Sequence, residues 1–253
     1  MAAEHIIKSY DEELERLANM IVEMGGQAES QLASAIEAVS ERNSELAARV
    51  IEGDDKVDQL ERDLDNLAIR LLALRQPMAR DLREIVAALK IGSDLERICD
   101  YAVNVAKRSI ALAQTPPIQP VHSLPRMAHF ALLEIKDVID AYVARDADKA
   151  FAVWMRDEEL DEMYANLFRV FLTYMMEDAR NIGPCTHLLF IAKNIERIGD
   201  HATNIAENVY YLVHGIPLTE ARPKGDRSSL EVVGPDRGPD RVADRPGGEA
   251  GSR

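Results

Sequence analysis

A thirteen-residue string occurs twice in this chain, and the repetition restricts the possible folds more than any other feature. Asp94–Ala106, DLERICDYAVNVA, aligns without a gap with Asn194–Ala206, NIERIGDHATNIA, 100 residues later. Seven of the thirteen positions are identical, where chance at average composition gives about one. The chain is an internal duplication, so its architecture must present the same unit twice. A second correspondence lies at an offset of 103. Val50, Val57, Leu60, Leu64, Leu67, Leu71 and Leu74 form one apolar seam, and Val153, Leu160, Met163, Leu167, Val170 and Tyr174 repeat it. Steps of three and four are the spacing of a helix packed in a bundle.

Composition agrees with a helical unit. The chain is 47% hydrophobic and 29% charged, enough for a packed core, and only 5% aromatic, which disfavours a β-sandwich or barrel. Glycine and proline gather at Gly25-Gly26, Gly53, Pro77, 115–120 and Gly183-Pro184. Between them the pattern predicts helices near 4–42, 44–74 and 78–114, then 122–144, 146–179 and 182–214. Asn43 and Asp146 suit N-caps of the middle helices. Pro77 and Pro184 suit helix starts, where a missing N–H costs nothing, and Gly215-Ile216-Pro217 is a stop. The expected fold is all-α: two tandem, sequence-related three-helix up-down bundles at 1–114 and 122–216, joined by a Pro-rich linker at 115–121. From Thr219 to Arg253 seven acidic and seven basic residues, and no aromatic, predict a disordered tail over 217–253.

The net charge is −14 and the tail is neutral, so the helical body carries all of it. Such a field repels phosphates, which excludes nucleic acid and anionic lipid as general partners and favours cations or basic protein surfaces. No secretory signal and no run of eighteen apolar residues is visible. Cys99 and Cys185 form no CxxC pair. A reduced, cytoplasmic protein is expected.

The duplicated positions are mostly polar. Glu96, Arg97, Asp100 and Asn104 match Glu196, Arg197, Asp200 and Asn204. If Leu95, Ile98, Ala102 and Val105 are buried, about 100° per residue turns Glu96, Asp100 and Asn104 outward; the same projection turns Glu196, Asp200 and Asn204 outward. Asp54 and Asp58 on one middle helix, and Asp157 and Asp161 on the other, lie beside the leucine seam. Like charges four residues apart cost a helix a few tenths of a kcal/mol, so four mirrored pairs point to positive charge between them. Carboxylate and amide oxygens suit Mg²⁺, Ca²⁺, Mn²⁺ or iron. One cation site per half is expected: Asp54, Asp58, Glu96, Asp100 and Asn104, then Asp157, Asp161, Glu196, Asp200 and Asn204. The competing reading is a solvated acidic face.

Other residues carry simpler expectations. No histidine has a glutamate three residues before it, which argues against a ferritin-like di-iron centre. His201, replaced by Tyr101 in the first half, reads as a surface side chain. Arg97 and Arg197 read as ion-pair partners of the acids, and Cys99, standing where the second half has Gly199, as a packing residue. Trp154, Met163, Met175 and Met176 read as core. No phosphate loop, dinucleotide fingerprint, nucleophile elbow or HExxH motif occurs, and no catalytic residue is assigned.

DLERICDYAVNVA and NIERIGDHATNIAE, together with the D-x-x-x-D pairs and Gln76-Pro77-Met78-Ala79-Arg80-Asp81-Leu82-Arg83, resemble the PhoU family over about residues 1–214. The resemblance implies two similar three-helix bundles, usually in a homodimer. It implies a non-enzymatic, cytoplasmic negative regulator acting between the ATPase-driven phosphate ABC transporter and a phosphate-sensing histidine kinase, and reaching the membrane only through those partners. The family's E(D)xxxD metal motifs correspond to Asp54/Asp58, Glu96/Asp100, Asp157/Asp161 and Glu196/Asp200. With the donor chemistry, this implies iron, zinc, manganese or magnesium as cofactor. Cys99, where the motif has a small glycine, and the charged tail depart from the pattern. A metal-dependent hydrolase or oxidase using the carboxylates, and a purely structural helical adaptor, are the alternatives.

Overall fold

Helix runs almost unbroken through the residues described by the structure, a computed structural model covering 2–219, with side chains at 10–119 and 122–219. The elements are α1 (Ala2–Glu41), α2 (Ser44–Glu52), α3 (Asp54–Arg75), α4 (Ala79–Ala113), α5 (Leu124–Ala144), α6 (Ala147–Glu177) and α7 (Ile182–His214), with short 3₁₀ turns at Gln119–Ser123 and Ala179–Asn181. The expected tail lies outside the described residues from 220 onward.

The duplication is visible in the corners. Arg42 and Arg145 both take left-handed backbone, φ 56° and 54°, and each is followed by a capping residue. The Asn43 side chain accepts from the Leu46 N–H at 3.0 Å, and Asp146 accepts from the Lys149 N–H at 2.9 Å. Each satisfies an N–H that the first helical turn leaves without a partner. Gly215, at φ 74°, ends α7 with its N–H bonded to the Tyr211 carbonyl at 2.8 Å.

Two expectations are corrected. The helix expected over 44–74 is two helices, parted at Gly53, whose N–H bonds the Arg49 carbonyl. The apolar seams also drift. Leu74 is exposed in the last turn of α3, and Val170 is exposed while Leu160, Tyr164, Leu167 and Phe171 carry the buried line of α6. A strict 3.5-residue repeat rotates by about 20° per heptad on a straight helix, so a seam extrapolated over several turns leaves the core face.

α4 and α7 form the centre. Arg108, late in α4, sits over the ring of Phe190, early in α7, at 4.1 Å. Val86, early in α4, shares a groove with Asn208 and Tyr211, late in α7, so the two helices run antiparallel. α1, α2 and α3 pack on α4, while α5 and α6 pack on α7. Buried apolar side chains from both halves join in one core. Duplicated positions meet at the seam, where the Tyr101 and His201 rings stand 5.6 Å apart. Among the described residues no helix is long and apolar enough to cross a membrane.

Candidate metal centre

The eight motif carboxylates gather into one cluster per half. In the first, α3 brings Asp54 and Asp58 beside Glu96 and Asp100 of α4. Burial raises the Asp54 carboxyl above its ordinary value, and the charges of Asp100 and Asp58 raise it further. Glu96 is pushed up to about 7, by burial first and then by Asp100, with Arg97 opposing and Glu61 and Asp58 adding to the rise. Arg97 closes the rim, 3.0 Å from Asp100 Oδ2 and 3.6 Å from Glu96 Oε2. Asn104 lies exposed one turn beyond Asp100. Cys99 is fully buried behind the acids, where burial and then Asp54, Glu96 and Asp100 push its thiol well up. It is a packing residue with no thiolate to offer.

The second cluster, between α6 and α7, is deeper. Asp157, Asp161 and Glu196 are 2%, 3% and 6% exposed, which overturns the expectation that Glu196 faces outward. α7 is wrapped by α4, α5 and α6, so the side opposite its apolar row is covered by α6 instead of water. The Thr203 hydroxyl lies within hydrogen-bond reach of both Asp157 Oδ1, at 3.2 Å, and the Gly199 carbonyl, at 3.0 Å. Lys193 donates to Glu196 Oε1 at 2.8 Å. Burial still drives Glu196 up to about 7 against the pull of Lys193, with Asp200 and Asp161 adding to the rise. Asn204 turns to the α4–α7 seam, its amide 3.4 Å from Asp94 Oδ1.

The remaining expectations divide. Trp154 is buried, its indole N–H donating to Glu207 at 3.0 Å. Met163 packs against the core, whereas Met176 is exposed at the end of α6. Arg97 is the ion-pair partner expected of it; Arg197 instead lies 5.7 Å over the Tyr101 ring. His201 is no free surface side chain: its Nδ1 is 2.8 Å from Asp94 Oδ1.

The residue pattern missed Glu134 and Lys193. Glu134 is fully buried on α5, against Gly199 of the second cluster. It sits on the apolar row Met127, Ala131, Val138, Ala141, and an acid on such a row is the signal that could have found it.

Burial raises Glu96 and Glu196, and neighbouring carboxylates raise them further, so each cluster is an oxygen-rich donor set whose repulsion a cation would relieve. Among the described residues, no three His, Cys, Asp or Glu side chains are placed to hold a metal ion together.

Comparison with known proteins follows the duplication. The PhoU domain model matches twice, at residues 21–109 and 124–209. A phosphate-specific transport system accessory protein PhoU homolog from Caulobacter vibrioides (strain NA1000 / CB15N) is 51% identical over 224 residues, 88% of this chain and 97% of that protein. Its counterpart from Rhizobium meliloti (strain 1021) is 49% identical over 230 residues, 90% and 97% of the two chains. The crystal structure of PhoU from Pseudomonas aeruginosa superposes with a TM-score of 0.79 at 39% identity, covering 82% of this chain and all of that one.

Proposed function

This chain belongs to the PhoU family, and from that premise we propose that it is a regulatory accessory protein of phosphate uptake. It restrains the phosphate ABC transporter and the sensor kinase coupled to it, acting by docking and without catalysis. The observation carrying this reading is the mirrored pair of acid clusters on a body of charge −14. Basic surfaces on the transporter ATPase or the kinase complement that field. The arrangement supports binding over chemistry: eight carboxylates stand in two like-charged groups, with no nucleophile activated beside them and Cys99 buried as a thiol.

The same clusters would hold cations. Asp54, Asp58, Glu96 and Asp100 would hold one, and Asp157, Asp161, Glu196 and Asp200 the other. A bound ion supplies positive charge that offsets their repulsion. The protein's part is to bring α3 onto α4 and α6 onto α7, to pre-position Asp157 through Thr203, and to shield the second site from water. Iron, zinc, manganese and magnesium all accept such donors. A second copy of the chain completes the assembly as a homodimer in the cytoplasm.

Deleting the gene and measuring alkaline phosphatase in phosphate-replete cells tests the regulatory role: derepression is expected, and intact repression overturns it. Elemental analysis of purified protein tests the ions. Replacing Glu96, Asp100, Glu196 and Asp200 together by alanine should remove bound metal; full retention overturns that assignment.

A further inference from the structure

The corner where α1 or α5 meets the following helix is built differently in the two halves. In the second, Asp137 on α5 fills it, 2.6 Å from Arg156 and 3.2 Å from Lys149. Burial raises the Asp137 carboxyl, yet these two bonds hold it below its ordinary value. At the offset of 103, the first half has Ser34 for Asp137, Leu46 for Lys149 and Gly53 for Arg156. The carboxylate and both its cations are gone. A cleft of about 200 Å³ opens there, lined by Gln27, Ser30, Gln31, Ser34, Arg49 and Gly53 among others.

Two side chains of this cleft, Gln31 and Arg49, stand without protein partners among the described residues. Gln31 is 6% exposed, and its amide oxygen and nitrogen are both buried without a hydrogen bond, an arrangement native interiors rarely tolerate. Arg49 stands where the second half has Ala152, and it makes no ion pair among the described residues. No residue lining the cleft is acidic, on a chain whose net charge is −14.

We propose that this cleft binds a small protonated oxyanion of the inorganic-phosphate class, in the place that the Asp137 carboxylate fills in the other half. Arg49 supplies the charge and paired N–H donors that suit a tetrahedral oxyanion. The Ser30 and Ser34 hydroxyls and the Gln27 and Gln31 amides add donors. The Gln31 oxygen is an acceptor, which matches the P–OH that inorganic phosphate keeps at neutral pH and that sulfate lacks. The proposal does not depend on the metal assignment, because none of the eight cluster carboxylates lines the cleft.

Calorimetric titration of the full chain with inorganic phosphate, sulfate and acetate tests it. Phosphate should bind saturably and more tightly than either of the others. Arg49→Ala, at an exposed position, should weaken phosphate about ten- to hundredfold. Ser34→Asp, which supplies a carboxylate inside the cleft, should abolish binding and the rise in melting temperature that phosphate gives the parent. Circular dichroism checks that both variants stay folded. Absence of saturable binding at millimolar phosphate, affinity unchanged in both variants, or sulfate or acetate binding as tightly as phosphate overturns the assignment.

Discussion

Glu134 and Gly199 face each other between α5 and α7, with Glu134 Oε2 3.1 Å from where a Cβ on Gly199 would stand. That Cβ would also run into the Leu160 side chain. In the first half the glycine position holds Cys99, and the position of Leu160 holds Val57. The two halves thus exchange bulk between these two positions. Gly199→Cys alone should cost about 1–3 kcal/mol through overpacking. Leu160→Val alone should cost about 1 kcal/mol, as loss of a buried methylene does. Combined, they should recover most of the first loss. Urea midpoints of the two single variants and the double variant check this, and strict additivity would show that the exchange is not compensatory.

The acid clusters predict an unusual pH dependence. Glu96 and Glu196 rise from 4.5 to about 7 in the folded chain, burial being the main cause. A folded pKa above the unfolded one means that the native state holds extra protons between those values. The stability these groups contribute is complete below pH 4.5, falls as the pH rises through about 7, and is level above that. Metal-free protein should therefore resist urea better in mild acid than just above neutrality. Glu96→Gln with Glu196→Gln should flatten that slope. An excess of divalent cation should reverse it, since ions bind the deprotonated form. An unchanged slope in the double variant would assign the titration to other groups.

Helix positions and caps were open to a reader of the chain because they depend on local chemistry. Asn43, Asp146 and Gly215 act within a turn of themselves, and the 3.6-residue period needs no partner. The depth of the acid clusters depends on which helices cover which faces. Glu196 and Asp200 share one helical face by spacing, yet Glu196 is buried by α6 while Asp200 remains half-buried. His201 likewise reads as a surface residue until Asp94 arrives from 107 residues away. The open corner at Gly53 stands out only beside the folded counterpart, where Arg156 and Lys149 close on Asp137.

The duplicated corners offer a direct test of capping. Asn43→Ala and Asp146→Ala each remove a side-chain acceptor from the first turn of a helix and should each cost about 1 kcal/mol. The effects should add, because the two corners make no shared contact. Thermal melting of the two single variants and the double variant measures this. A loss confined to one corner would mean that the repeats no longer use their caps alike.

The seam joining the halves has a polar link on one side of its pseudo-symmetry. Asp94 Oδ1 lies 2.8 Å from His201 Nδ1 and 3.4 Å from Asn204 Nδ2. The counterpart of Asp94 is Asn194, whose amide turns back to the Phe190 carbonyl of its own helix at 2.7 Å, and Tyr101 replaces His201. Asp94→Ala leaves two partly buried groups without their acceptor, so it should cost about 1–3 kcal/mol. His201→Ala should cost less, because Asp94 keeps Asn204. The two losses should be less than additive, since the pair is shared. Urea unfolding should remain one transition, because the apolar core spans both halves. An unshifted midpoint in Asp94→Ala, or full additivity with His201→Ala, would show that the apolar contacts alone hold α4 on α7.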